Sequence, residues 1–124
     1  MLNIVFVAIG GGIGATTRYL VSTWAAARFG STFPYGTLIV NVVGCFIIGA
    51  FMSIATERLI VNPYWRLFIA VGFLGGLTTF SSFSFETLRL LEEADIMQAF
   101  TNVGLNVLAG LTATWLGIAA ARLL

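Results

Sequence analysis

Four long stretches of this chain carry almost no charge, and they decide what it can become. Residues 1–17, 29–57, 67–85 and 96–121 contain a single charged side chain between them, Glu57. Each approaches or exceeds the ~20 apolar residues that cross a bilayer as a helix. The first extends past Arg18 as far as Ala27. The windows predict an all-α integral membrane protein with four transmembrane helices, a single domain over residues 1–124, and little left over for a water-exposed body. With 59% hydrophobic and 9% charged residues, the composition lies outside the range of water-soluble globular chains. The first window lacks a basic lead and runs longer than the apolar core of a leader peptide, so it is expected to be a span.

The charges that remain are balanced. Four spans place both ends on one side of the membrane, together with Arg58, Arg66 and Arg122. Arg18, Arg28 and Arg89 fall toward the other side, three against three. Orientation follows Lys/Arg asymmetry, and none exists here. The expectation is a chain that inserts both ways and pairs with an opposed copy, an antiparallel, dual-topology homodimer with its two-fold axis in the membrane plane. A partner or lipid that fixes one orientation is the alternative.

The third window contains its own interruption. Gly75 and Gly76 weaken the helix, and five hydroxyls follow between Thr78 and Ser84, interleaved with Phe80 and Phe83. The spacing predicts a break near residues 75–79 and a second, shorter helix to about Leu91. Non-helical backbone inside a bilayer survives only where protein, an ion or a wet path satisfies its N–H and C=O groups.

Other spans carry polar stripes at helical spacing. Thr37, Asn41 and Cys45 recur at i, i+4, i+8, as do Asn102, Asn106 and Gly110. Gly10 and Gly14 form a small-xxx-small pair suited to close packing. Arg18 must face a polar interior, find a partner or reach the surface. It and Glu86 are candidate vestibule or auxiliary residues. Glu86 and Arg89, three apart, are expected to pair. Asn62 and Pro63 mark a short loop after Glu57, and Glu92, Glu93 and Asp95 are expected as a solvated acidic loop.

These residues exclude much chemistry. There is no histidine and only one cysteine, so no Cys/His metal site, and no nucleophile–base pair suggests an enzyme. A proton-coupled exporter would need a carboxylate near the bilayer centre, and Glu86 is displaced toward the end of the third span. Neutral donors are abundant instead: Thr37, Asn41, Ser81, Ser82, Ser84, Asn102 and Asn106. A phenyl ring has a positive edge, so Phe80 and Phe83 turned edge-on would help such donors replace the waters of a small anion. Binding without full positive charge leaves the anion free to move on. Core packing is the plain alternative for both rings, as an interhelical hydrogen bond is for Asn41. Carbonyls around Gly75 and Thr78 from two opposed copies would suit a hard cation such as sodium.

Three runs, GGIGATTRY (11–19), GTLIVNVVG (36–44) and GFLGGLTTFSSFS (72–84), resemble the Fluc/CrcB family of fluoride channels. The last run is the most specific. The resemblance implies passive, selective export of fluoride across a bacterial inner membrane by a dual-topology homodimer with two antiparallel pores. It implies a fluoride path along Phe80 and Phe83, with Asn41, Ser81 and Ser84 nearby and the Asn102/Asn106 face of the fourth span as a polar track; by its spacing from Asn41, Thr37 is expected on the same path. Gly75 and Thr78 would offer carbonyls to a structural sodium ion. A small multidrug exporter and a non-conducting accessory subunit are the competing readings.

Overall fold

The computed structural model describes residues 1–58 and 61–124. Helix α1 covers Leu2–Phe29 and α2 covers Tyr35–Glu57. The third span, Pro63–Glu92, is two helices: α3 over 63–77 and α4 over Phe80–Glu92. Helix α5 is Ile96–Arg122. All four spans are long and apolar enough to cross a membrane, and the chain is an all-helical, multi-pass membrane protein.

Local chemistry sets the ends. Gly30, at φ 87, turns the chain out of α1 in a conformation that side chains rarely adopt. Asn62 caps α3 by accepting the Tyr64 N–H at 2.9 Å, with Pro63 in the first helical position. Asp95 accepts the Gln98 N–H at 3.3 Å and caps α5. The expected acidic loop is therefore smaller than its charges suggest: Glu92 ends α4, Glu93 pairs with Arg89, and Asp95 holds a helix start. Of the loop expected around residues 57–63, Leu59 and Ile60 lie outside the described residues, and Glu57 is still helical.

Glycine decides which helices touch. A Cβ on Gly10 would collide with the Phe68 carbonyl, and one on Gly14 with the Phe73 carbonyl, so α1 lies directly on the backbone of α3. From the other side, a Cβ on Gly76 would meet the Gly11 carbonyl. Helices α2 and α5 do the same: Gly49 abuts the Thr114 carbonyl and Gly117 the Phe46 carbonyl. In lipid, where apolar burial drives helices together little, such close approach supplies the dispersion contact that holds them. Beyond these seams, Glu57 and Arg122 join the ends of α2 and α5 through contacts of 2.8 and 3.1 Å, and Ser53 donates to Glu57 Oε2 at 3.2 Å.

Two widened, π-helical turns flank the centre. One, Leu67–Phe73, precedes Gly75, and the other, Leu105–Ala109, contains Asn106. Such turns add a residue to the helical circuit and re-aim the side chains beyond them.

Candidate functional site

The helix break is two residues of extended chain. Thr78 sits at φ −85, ψ 155 and Thr79 at φ −152, ψ 122. Each exposed backbone group near it raises the question of a partner. Thr78 donates both its N–H (3.0 Å) and its hydroxyl (2.9 Å) to the Leu74 carbonyl. Thr79 Oγ1 accepts the Ser82 N–H at 3.1 Å, capping α4.

Thr79's own peptide groups go to Asn41. The Asn41 Oδ1 accepts the Thr79 N–H at 2.8 Å, and its Nδ2 donates to the Thr79 carbonyl at 3.1 Å. One amide side chain from α2 thus replaces the helical bonds that the break removes. The second hydrogen of Asn41 Nδ2 goes to Asn106 Oδ1 at 2.9 Å. Asn106 Nδ2 in turn donates to the carbonyl and to Oδ1 of Asn102, at 2.9 and 3.0 Å.

Arg18 reaches the same break from α1. Its Nε donates to the Gly76 carbonyl at 3.0 Å. Gly10, Gly14 and Arg18 share one face at steps of four residues, so the seam that brings the backbones together also delivers the guanidinium. Of the roles open to Arg18, the structure shows the pairing with protein backbone.

Phe80, Phe83, Asn41, Asn106, Gly75 and Thr78 line one groove of about 420 Å³. Phe80 is 78% exposed, and its ring centroid lies 5.5 Å from that of Phe83 at an interplanar angle of 54°. Among the described residues, the carbonyls of Gly75 and Thr78 receive no hydrogen bond. Ser81 and Ser84 are not in this lining: both are exposed, and Ser81 Oγ lies 3.3 Å from Thr79 Oγ1. Thr37, one turn before Asn41, is buried in a second cavity of about 200 Å³ shared with Glu86, Arg89 and Ser22. There the Thr37 hydroxyl and Arg89 face the Glu86 carboxylate. Glu86 Oε1 has no hydrogen-bond partner among the described residues. The expected Glu86–Arg89 ion pair is not the close one. Arg89 Nε instead lies 3.8 Å from Glu93 Oε1, one turn toward the helix end, while Glu86 turns inward to α2.

Two partners were not picked out as site residues from the sequence. Thr79 caps α4 and is also the backbone that Asn41 holds. Thr87 accepts from Asn102 Nδ2 at 2.9 Å and donates to the Phe83 carbonyl at 2.7 Å. Its signal was present, since Thr87 continues the Phe80–Phe83 stripe by one turn.

The family model described as "CrcB-like protein, Camphor Resistance (CrcB)" matches residues 5–118. A protein of Geotalea daltonii named "Fluoride-specific ion channel FluC" is 48% identical over 122 residues, 98% of each chain. One of the same name from Geobacter sp. (strain M21) is 48% identical over 124 residues and the full length of both. Another, from Roseiflexus sp. (strain RS-1), is 49% identical over 127 residues, 99% of each chain.

Proposed function

The chain belongs to the CrcB-like family, and on that premise we propose that it is a fluoride channel, a passive and selective export path rather than an enzyme. The observation that carries this reading is the groove at the helix break, where two tilted phenyl rings meet neutral amide donors without a formal charge among the lining residues. Ring edges and amide hydrogens suit an anion that must shed water and still leave. Both Asn41 hydrogens are engaged by protein acceptors. Fluoride passing along Phe80 and Phe83 would compete with Asn106 Oδ1 for one of them, so each step exchanges a hydrogen bond rather than breaking one outright. Ser81 and Ser84 stand on the exposed face of α4, and Thr37 lines a second cavity with Glu86.

The working unit in this reading is an antiparallel, dual-topology homodimer in a bacterial inner membrane, with two pores. Two features support it: the arginines divide three against three, and the groove is open on its outer side, with Phe80 mostly exposed. A second copy would close it. A structural sodium ion fits the residues present. The Gly75 and Thr78 carbonyls are hard oxygen donors without hydrogen-bond partners among the described residues, and a Cβ on Gly75 would meet nothing within 4 Å. Bound there, sodium would satisfy those carbonyls and add positive potential beside an anion path.

Efflux from liposomes holding the purified protein tests the reading, with a fluoride electrode and a parallel chloride trace. Fast fluoride release with negligible chloride release is expected. Phe80→Ile should lower fluoride release by about tenfold or more while the protein stays folded, since it removes a ring edge and keeps the bulk. Normal conduction by Phe80→Ile would remove the ring-edge mechanism.

A further inference from the structure

The amides at the break form one hydrogen-bonded ladder, and its direction is set at both ends. At one end is the Thr79 N–H, which can only donate, and it donates to Asn41 Oδ1. At the other is the Phe83 carbonyl, which can only accept, and it takes the Thr87 hydroxyl proton. Thr87 has one proton. Having given it to Phe83, it must accept from its neighbour, and Asn102 Nδ2 supplies that bond. Asn102 Oδ1 therefore faces Asn106, whose Nδ2 donates to it. Asn106 Oδ1 then faces Asn41, whose Nδ2 donates in turn. No amide in the row can flip without placing like against like at a neighbour. Asn102 is 0% exposed, so water cannot repair a reversed link there.

We propose that Thr87 and Asn102 are positioning residues: they lock the amide orientation of Asn106 and Asn41 and so hold the Thr79 peptide at the helix break where it lines the groove. The proposal rests on the fluoride reading for its consequence, but its structural content stands apart from it. The ladder clamps both ends of the segment that bears Phe80 and Phe83. Thr79 is gripped through Asn41, and Phe83 is tied to the same row through Thr87.

The test compares wild type, Thr87→Val, Thr87→Ser, Asn106→Leu and the double variant Thr87→Val/Asn106→Leu, each as full-length protein. Hydrogen–deuterium exchange of the 78–84 segment is measured alongside fluoride efflux per folded protein. Thr87→Val keeps the shape and removes the hydroxyl. It should raise exchange at Thr79 and lower efflux, each by about tenfold, the scale of one buried hydrogen bond. Thr87→Ser should restore both. Asn106→Leu cuts the ladder between Thr87 and Asn41, so in that background the Val substitution should add nothing to Thr79 exchange. A merely structural Thr87 would add its effect regardless of the cut. Should Thr87→Val not yield folded protein, Thr87→Ala provides the same contrast. Wild-type exchange and efflux in the Val variant would overturn the proposal, as would full additivity in the double variant. If wild type releases no fluoride, the channel reading fails by itself. Thr79 exchange then decides the ladder: faster in Val and restored in Ser sustains it, and unchanged exchange overturns it.

Discussion

The broken third span is held from two sides by opposite means. On the α1 side, backbone lies on backbone: Gly14 faces the Phe73 carbonyl, Gly76 faces Gly11, and a single charged donor, Arg18, satisfies the Gly76 carbonyl. On the α2 and α5 side, no charged group among the described residues holds the break itself. Asn41 holds Thr79 through two hydrogen bonds and passes a third to Asn106. The glycine contact has no side-chain freedom to spend and fixes where the break sits. The amide contact consists of side chains whose hydrogen bonds can be traded for others of equal kind. The difference suggests a division of labour, with the rigid side keeping the break in place and the exchangeable side facing the groove.

The largest expected effect comes from forcing the rigid side apart. Gly14→Leu would drive a side chain into the Phe73 carbonyl, a misfit of about 3 kcal/mol or more. Little folded protein should elute on size exclusion. Gly12→Leu is the matched control, since a Cβ there meets nothing within 4 Å, and it should purify normally. Equal yields from the two would mean that the α1–α3 seam is looser than it looks. Next comes Arg18→Ala, which strands the Gly76 carbonyl in a part-buried site and should cost about 1–3 kcal/mol. Thermal unfolding in detergent measures it.

Asn41→Leu strikes the exchangeable side. It removes the partners of the Thr79 N–H and C=O together. Because the groove is open, water can take over part of that role, and the stability cost should stay near ~1 kcal/mol. Fluoride efflux should fall further than stability, by about tenfold or more, because the transferred hydrogen bond is gone. A variant as destabilised as Arg18→Ala but conducting normally would reverse the two roles.

Much of this arrangement was legible in the sequence, and the remainder had a physical reason to be hidden. Charge-free windows and the glycine pair mark the spans and the break because lipid punishes charge and unsatisfied backbone wherever they occur. The i, i+4 spacing of Asn102 and Asn106 likewise shows a shared face. Spacing cannot show which backbone a polar side chain holds. Asn41 and Thr79 are separated by 38 residues, and Arg18 and Gly76 by 58. For Arg18 the sequence left a polar interior, a partner and the surface all open. The Glu86–Arg89 expectation went astray for a related reason. Helical spacing gave Arg89 three acidic neighbours, Glu86, Glu92 and Glu93; the packing of α4 against α2 took Glu86 inward, and the close pair formed is with Glu93.

The smallest effect should come from the far end of the bundle, where the contact looks strongest on paper. Arg122 meets Glu57 through two short contacts, 2.8 and 3.1 Å, a geometry that favours Arg–carboxylate pairing. The pair is nonetheless substantially exposed, with side chains 61% and 40% accessible, so water and salt screen it. It also closes a seam already fixed by Gly49 and Gly117 against the facing backbones. Among the described residues, and in contrast to the contacts at Gly76 and Thr79, no interrupted helix backbone depends on it. Arg122→Gln should therefore shift the unfolding midpoint only slightly, the shift should vanish as salt is raised, and fluoride efflux should be unchanged. A loss as large as that of Arg18→Ala would mean that orphaned backbone at the break does not set the scale of these effects, and that the two ends of the bundle are held by the same kind of force.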